Sequence, residues 1–229
     1  MAITDERVKK DIVEQLFWDN RVDSTNIDVK VKDFVVTLNG TVDNYLARTS
    51  AFQDAWDVSG VEMVINNLEV THEGKTNLPT DSELKNNIKQ ILEWDTYIDS
   101  VSVKISVKDG WVTFEGTQDE YWKVLRIEDL ASGIEGIVGI TNNLAVVPTH
   151  DIIDQAIAND ITSALARNIG DDSDLVDVEV ENGVVTLSGI LPSKNLAQQA
   201  FQVALLTKGV TFVHNELKIE APQYVKASV

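Results

Sequence analysis

The chain has 229 residues, with 19 basic against 37 acidic side chains and a formal net charge of −18 at pH 7. This acidity disfavours nucleic acid as a partner, because nucleic-acid binding relies on Lys and Arg to neutralise phosphates. It also disfavours simple electrostatic attraction to anionic lipid. Cysteine does not occur, which excludes a disulfide framework and a thiolate metal site.

One pattern occurs three times along the chain, at offsets of 76 and 73 residues. Its first block spans 31–40, 107–116 and 180–189, and its second block spans 60–70, 136–146 and 209–219. A repeat of this length is a small domain. The sequence therefore predicts domains over residues 1–73, 79–148 and 149–221, followed by a tail over 222–229.

Each repeat begins with a predicted amphipathic helix. Apolar residues recur at i, i+4 and i+8, which places them along one helix face. Thr4 and Thr80 precede two of these helices and are candidate N-caps. The nine apolar positions are Val8, Ile12, Leu16, Leu84, Ile88, Leu92, Ile157, Ile161 and Leu165.

A predicted β-hairpin follows. β-Branched residues alternate with polar ones, as in Ile27-Asp28-Val29-Lys30-Val31, and predict a strand with one buried face. Asp109-Gly110 and Asn182-Gly183 predict type I′ turns, which need φ > 0 at both central residues. Repeat 1 has Asp33-Phe34 there, and a bulky residue is poor at φ > 0. We therefore expect a different or longer turn in repeat 1.

A second helix and a last strand complete each repeat. The helices are predicted over 44–58, 120–132 and 193–207, and the strands over 64–70, 140–146 and 212–219. In repeat 1 we expect the apolar helix face to run through Tyr45, Phe52, Ala55 and Trp56. Gly60, Gly136 and Gly209 are expected as helix C-caps.

The element order predicts an α+β protein of three tandem αββαβ domains. The strand–helix–strand step places the second and third strands parallel, whereas the hairpin is antiparallel, so each three-stranded sheet is mixed. Only one face of each strand is apolar. Both helices are therefore expected to pack on one face of the sheet.

Few residues suggest chemistry. His72, His150 and His214 lie at non-equivalent positions without a second ligand at metal-binding spacing. The acidic run 171–174 lacks the layout of a calcium loop, so a solvated loop is favoured. The GxxG string 133–136 matches an RNA-binding KH loop, but it contains Glu and does not recur in the other repeats. We predict no catalytic, cofactor-binding or metal-binding residue, no cofactor and no enzymatic activity.

Aromatic residues recur at equivalent places. Trp18 and Trp94 lie at the end of the first helix, each before Asp, where repeat 3 has Arg167. Packing in the core or between repeats is the favoured interpretation. A patch that contacts a ligand or membrane is the alternative, since exposed apolar clusters usually mark contact sites. Tyr45 and the pair Tyr121-Trp122 begin second helices and allow the same two interpretations.

The pattern V-x-[ND]-G-x-V-T-L-x-G, a helix and then G-V-x-x-V-x-N-x-L-x-V resembles the BON domain, named after bacterial osmotically inducible and nodulation proteins. The resemblance covers nearly all of residues 5–220, and repeats 2 and 3 fit it closely. Repeat 1 departs at Phe34, and repeat 2 departs at Gln118, which replaces an apolar residue. The resemblance implies an αββαβ fold and a non-enzymatic binding or scaffolding protein. It further implies a stress-, envelope- or transport-associated role and association with phospholipid or a membrane.

The alternative function is a protein–protein interaction or self-assembly module without a lipid role, because each sheet has edges that can pair with another chain. The residues after Met1 lack the basic and apolar regions of a secretory signal. We therefore expect a cytoplasmic location, or a periplasmic one if a leader was removed. The sequence leaves the oligomeric state open.

Overall fold

The computed structural model describes residues 4–72, 77–148 and 152–220. Each repeat contains a helix, two strands, a second helix and a third strand, as predicted. The elements of repeat 1 are α1 (Asp5–Trp18), β1 (Ile27–Lys32), β2 (Val35–Val42), α2 (Tyr45–Asp57) and β3 (Met63–Val70). Those of repeat 2 are α3 (Asp81–Trp94), β4 (Val103–Lys108), β5 (Trp111–Gln118), α4 (Tyr121–Ser132) and β6 (Gly139–Val146). Those of repeat 3 are α5 (Asp154–Ile169), β7 (Val176–Glu181), β8 (Val184–Leu191), α6 (Lys194–Leu205) and β9 (Phe212–Ile219).

The strands form three separate three-stranded sheets, which confirms the predicted α+β class. Their orders are β1-β2-β3, β4-β5-β6 and β7-β8-β9. In repeats 1 and 3 the first two strands are antiparallel and the last two are parallel. The mixed sheet predicted from the element order is therefore present, and the first strand of each repeat lies at a sheet edge.

The first helices supply one fully buried stripe to each core. All nine predicted stripe positions are exposed by 1% or less. Burying one such side chain is worth about 1.5–3 kcal/mol relative to leaving it in water. The same three spacings thus anchor α1, α3 and α5 to their sheets. The predicted caps are also confirmed: Thr4 Oγ1 accepts from the Arg7 amide, and Thr80 forms a reciprocal capping box with Glu83.

The second helix of repeat 1 buries small residues in place of two predicted aromatics. Ala47, Ala51 and Ala55 are completely buried, whereas Phe52 and Trp56 are 39% and 38% exposed. Tyr45 and Ala55 are buried as expected, but the predicted face is wrong at Phe52 and Trp56. Alanine at i, i+4 and i+8 lets the helix backbone approach the sheet closely. The larger rings are therefore turned outward.

The hairpin of repeat 1 has the same turn as the other two, so the expected different or longer turn is wrong. Asp33 and Phe34 have φ of 51° and 61°, against 51° and 76° at Asp109 and Gly110. The physical reason is a carboxylate at the start of the preceding helix. Asp5 accepts hydrogen bonds from the amides of Asp33 and Phe34 at 2.9 and 3.0 Å. These two bonds hold the amides in the turn that Phe34 disfavours.

We call this arrangement, in which one helix aspartate accepts from both turn amides, the hairpin clamp. It occurs in all three repeats. Asp81 accepts from the two turn amides of repeat 2, each at 2.9 Å. Asp154 does the same in repeat 3 at 2.8 and 2.9 Å. Each of these aspartates is the first residue of its helix. The clamp therefore ties the helix N-terminus to the hairpin within each repeat.

The glycines expected as C-caps have another role. α2, α4 and α6 end three or four residues before Gly60, Gly136 and Gly209, so the C-cap prediction is wrong. These glycines lie in the turn that leads into the last strand, with φ of 92°, 96° and 89°. A Cβ on Gly136 would lie 3.1 Å from the Pro79 ring, and one on Gly209 would lie 3.0 Å from the Ile157 side chain. The turn thus passes close to the start of the first helix.

The chain divides into two compact units that do not coincide with the repeats. One comprises residues 1–116 and 127–143, and the other comprises residues 117–126 and 144–229. The division passes through β5, α4 and β6 of repeat 2. The domain boundaries drawn from the sequence stay a prediction.

Candidate interaction surface

Two equivalent tryptophans project from the ends of first helices. Trp18 is 72% exposed and Trp94 is 80% exposed. The interpretation of these two residues as core is therefore wrong. Each is followed by an aspartate C-cap in extended conformation, whose amide donates back to the helix. The chain leaves the helix axis at that residue, which leaves the indole outside the core.

The aspartate carboxylates fix this helix end. Asp19 Oδ1 accepts from the Arg21 amide at 2.8 Å, and Asp95 Oδ1 accepts from the Tyr97 amide at 3.0 Å. Repeat 3 has Asn168 at this position, and its amide donates instead to the Ala164 carbonyl inside the helix. α5 is accordingly 16 residues long, against 14 for α1 and α3. Only repeats 1 and 2 thus present a tryptophan at this bend.

Further exposed apolar side chains lie near each tryptophan in the sequence. In repeat 1, Val13, Phe17 and Trp18 form what we call the first aromatic group, with the two rings 5.3 Å apart in an edge-to-face arrangement. A shallow groove of about 520 Å³ beside it is lined by both Lys9 and Lys10. In repeat 2, three strongly exposed side chains lie within eight residues of sequence, and we call them the second aromatic group: Trp94, Tyr97 and Val101.

A buried carboxyl group lies next to Asp19, the residue that ends α1. Arg21 donates to both oxygens of Asp19, at 2.6–3.0 Å, and lowers the pKa of Asp19 to about 2. Asp54 of α2 is only 4% exposed. Burial and the neighbouring negative charge of Asp19 raise the pKa of Asp54 to about 6. The other repeats have Leu130 and Val203 at this position, so the acidic pair belongs to repeat 1.

A known domain family matches almost all of the described residues. The BON domain family matches residues 4–72, 80–148 and 153–221. The chain belongs to the BON domain family. It is also 32% identical over 146 residues to Osmotically-inducible protein Y of Escherichia coli (strain K12), over 62% of this chain and 70% of that protein.

Solved structures give a weaker likeness. Two are of CdsD, a structural protein of the type III secretion system of Chlamydia trachomatis. They are 12% and 14% identical, cover 96% of this chain and 98% and 100% of their own, and have TM-scores of 0.24. The PrgH periplasmic domain is 14% identical over 92% of this chain and all of its own, with a TM-score of 0.21. Scores this low support no structural conclusion.

Tyrosines at the start of second helices connect successive BON repeats. The Tyr45 hydroxyl donates to Glu128 of repeat 2 at 3.4 Å. The ring of Tyr121 lies 5.0 Å from that of Phe212 in repeat 3. Inter-repeat packing is therefore confirmed for these two tyrosines. Repeat 3 has Lys194 at the equivalent position.

The remaining candidates do not assemble a chemical site in the described ranges. His72 lies at the exit of β3, His214 lies on β9, and His150 lies outside the described residues. Residues 171–174 lie in a 3₁₀ turn over Gly170–Leu175. Within residues 4–72, 77–148 and 152–220, no group of three metal-binding side chains occurs. In the same ranges, no helix is long and apolar enough to cross a membrane.

Proposed function

We propose that this BON protein is a non-enzymatic binding protein with a stress-related or envelope-related role, and that the two aromatic groups contact the surface of a phospholipid membrane. The exposure of Trp18 and Trp94 at equivalent helix ends carries the proposal. The stress-related role is supported by the name of the E. coli relative, Osmotically-inducible protein Y. Family membership supports a binding role over catalysis.

The chemistry of the first aromatic group suits a lipid interface. Tryptophan combines a large apolar ring with one N–H donor, and it is enriched where hydrocarbon meets headgroups. Moving an exposed aromatic side chain out of water is worth about 1.5–3 kcal/mol. Lys9 and Lys10 line the groove beside Phe17 together with Glu6 and Glu14, and the lysine amines can donate to headgroup phosphates.

The net charge of the chain determines which type of phospholipid membrane we expect it to bind. The chain carries −18, which opposes approach to an anionic bilayer. The apolar contribution of Trp18 and Trp94 does not depend on lipid charge. We therefore propose zwitterionic phospholipid as the preferred surface.

Liposome co-sedimentation tests the proposal. The full chain is mixed at low salt with vesicles of zwitterionic lipid alone or with added anionic lipid, and the bound fraction is measured. We expect greater binding to the zwitterionic vesicles, with a blue shift of tryptophan fluorescence. The double variant Trp18→Ser/Trp94→Ser should lose most of the binding. Leu206→Ser, at another exposed apolar side chain, is the matched control.

Two results contradict the proposal. One is a bound fraction that does not differ between the double variant and the wild type. The other is no binding to either vesicle, which would favour the protein–protein alternative without a lipid role.

A further inference from the structure

Each sheet has two edge strands, and the first strand of each repeat is one of them. β1, β4 and β7 each have a single strand neighbour within the described ranges. An edge strand presents unpaired N–H and C=O groups that can pair with another chain. Natural proteins control such pairing through the charges that the edge carries.

The charges on these edges differ between repeats. The outward positions of β4 are Lys104, Ser106 and Lys108, and all three are exposed. The outward positions of β7 are Asp177, Glu179 and Glu181, which are also exposed. In the described part of the chain none of these three carboxylates forms an ion pair. One sheet thus has a basic edge and another has an acidic edge.

The two edges are complementary when they run antiparallel. Placing Ser106 opposite Glu179 brings Lys104 opposite Glu181 and Lys108 opposite Asp177. Opposite side chains on one face of such a pair have Cβ atoms about 4.5–5.5 Å apart, within reach of a salt bridge.

The inward face matches in the same register. Ile105 falls opposite Val180, and Val107 falls opposite Val178. Val107, Val178 and Val180 are only partly buried in the single chain. Pairing the strands would cover them further.

Pairing between identical edges is unfavourable. Two antiparallel β4 strands with Ser106 opposite Ser106 place Lys104 opposite Lys108 twice. Two β7 strands place Asp177 opposite Glu181 twice and Glu179 opposite itself. Like charges directly opposite each other destabilise a strand pair.

β1 fits β7 less well than β4 does. With Lys30 opposite Glu179, it places Asp28 opposite Glu181. One like-charged pair therefore accompanies the favourable ones.

We infer that β4 of one molecule pairs antiparallel with β7 of a second copy of this chain. The contact joins two different surfaces, so it extends into larger assemblies or closes into a ring. It rests on the edge strands alone and is independent of the proposed lipid contact.

Two electrostatic effects weaken this contact: the ion pair that Lys104 already forms, and the net charge of the chain. Lys104 already binds Glu115 on β5 at 2.7 Å, but it is exposed and has further donors for a second carboxylate. Two chains of −18 also repel each other at long range. At about 0.15 M salt the Debye length is about 8 Å, so distant charges are screened while contacting pairs are less affected. Association should therefore be strongest at intermediate salt.

Size-exclusion chromatography with light scattering, without lipid, tests the inference. The wild type should show a mass above that of one chain, rising with protein concentration at about 0.15 M salt and falling above about 0.5 M. A mass equal to one chain at every soluble concentration would overturn the inference. Vesicle binding in a separate assay would be unaffected by that result.

Charge-reversal variants test the residues. The first variant, Lys104→Glu/Lys108→Glu/Glu115→Lys, makes the β4 edge acidic and keeps its ion pair with β5 in reversed form. The second variant, Asp177→Lys/Glu181→Lys, reverses the two β7 carboxylates that would face Lys108 and Lys104 and keeps Glu179. Each alone should associate about tenfold more weakly than the wild type. Lys85→Glu/Lys208→Glu, at exposed lysines away from the edges, should associate like the wild type.

A mixture of the two variants gives the decisive result. An equimolar mixture restores opposite charges between chains and should recover a mass above that of one chain. Circular dichroism of each variant separates loss of association from loss of fold. Association that neither reversal weakens, or a mixture that does not recover it, would contradict the β4–β7 contact.

Discussion

The backbone N–H of Phe34 donates a 3.0 Å hydrogen bond to the carboxylate of Asp5, which lies 29 residues earlier in the chain. The same carboxylate accepts from Asp33, and both turn residues have positive φ. A positive φ costs a residue with a bulky side chain about 1–2 kcal/mol. Two charge-assisted hydrogen bonds are large enough to offset that cost.

The clamp predicts that Asp5→Asn destabilises repeat 1. An amide offers one acceptor atom where the carboxylate offers two, so one turn N–H loses its partner. We expect a loss of about 1–3 kcal/mol in the free energy of unfolding, measured by urea denaturation. Glu6→Gln removes the same charge from the same helix end without touching the turn and should cost under about 1 kcal/mol. Equal effects of the two variants would show that only the helix dipole matters.

The glycine that closes the hairpin motif predicts a second effect. Gly116 has φ of 127°, and a Cβ there would lie 2.0 Å from the Ser102 carbonyl oxygen. We expect Gly116→Ala to cost about 3 kcal/mol or more, because backbone must move. Gly133 has no heavy atom within 4 Å of an added Cβ, so Gly133→Ala should change stability by less than about 0.5 kcal/mol. Thermal melting compares them, and similar shifts would contradict the close approach.

Close packing of α2 predicts that a larger side chain is harmful on its buried face. Ala51 is completely buried between the helix and the sheet of repeat 1. Ala51→Leu should cost about 1–3 kcal/mol through overpacking. Phe52→Leu, at the exposed neighbour, should cost less than about 1 kcal/mol. Urea denaturation distinguishes the two, and an Ala51→Leu variant as stable as the wild type would mean that the helix can move away from the sheet.

Periodicity predicted the architecture because each repeat buries one stripe and one strand face. Val8, Ile12 and Leu16 needed only their spacing to be placed in the core. The face of α2 was wrong because hydrophobicity favours Phe52 and Trp56, whereas the available space favours alanine. Chain separation explains the missed clamp: Asp5 acts on a turn 28 residues away. The recurrence of Asp at this place in all three repeats was the available signal.

The surface was less predictable than the core. Nothing in the spacing of Trp18 says whether its ring turns inward, because that depends on where Asp19 ends the helix. The acidic pair was also missed, since Asp19 and Asp54 are brought together only by packing α1 against α2. Comparison with Leu130 and Val203 marks Asp54 as the unusual position.

The raised pKa of Asp54 predicts pH-dependent stability in repeat 1. Its folded pKa of about 6 lies above the ordinary value of 3.8. Below pH 3.8 the carboxyl is neutral in both states. Between pH 3.8 and 6 only the unfolded chain ionises, so stability falls as pH rises, and above pH 6 the lower stability persists. Asp19 acts oppositely, because its low pKa adds stability that is lost as pH falls from about 4 to 2.

Asp54→Leu, which copies repeat 2, isolates this effect. We expect the variant to exceed the wild type in stability at pH 7, and the difference to shrink by about 1–2 kcal/mol between pH 7 and pH 4. Denaturation followed by tryptophan fluorescence at several pH values measures this difference. Asp57→Asn, at an exposed carboxylate of the same helix, should show no such change between the two pH values. If the stability difference between Asp54→Leu and the wild type does not change with pH, then Asp54 packs poorly in the core but is not buried as a charged group.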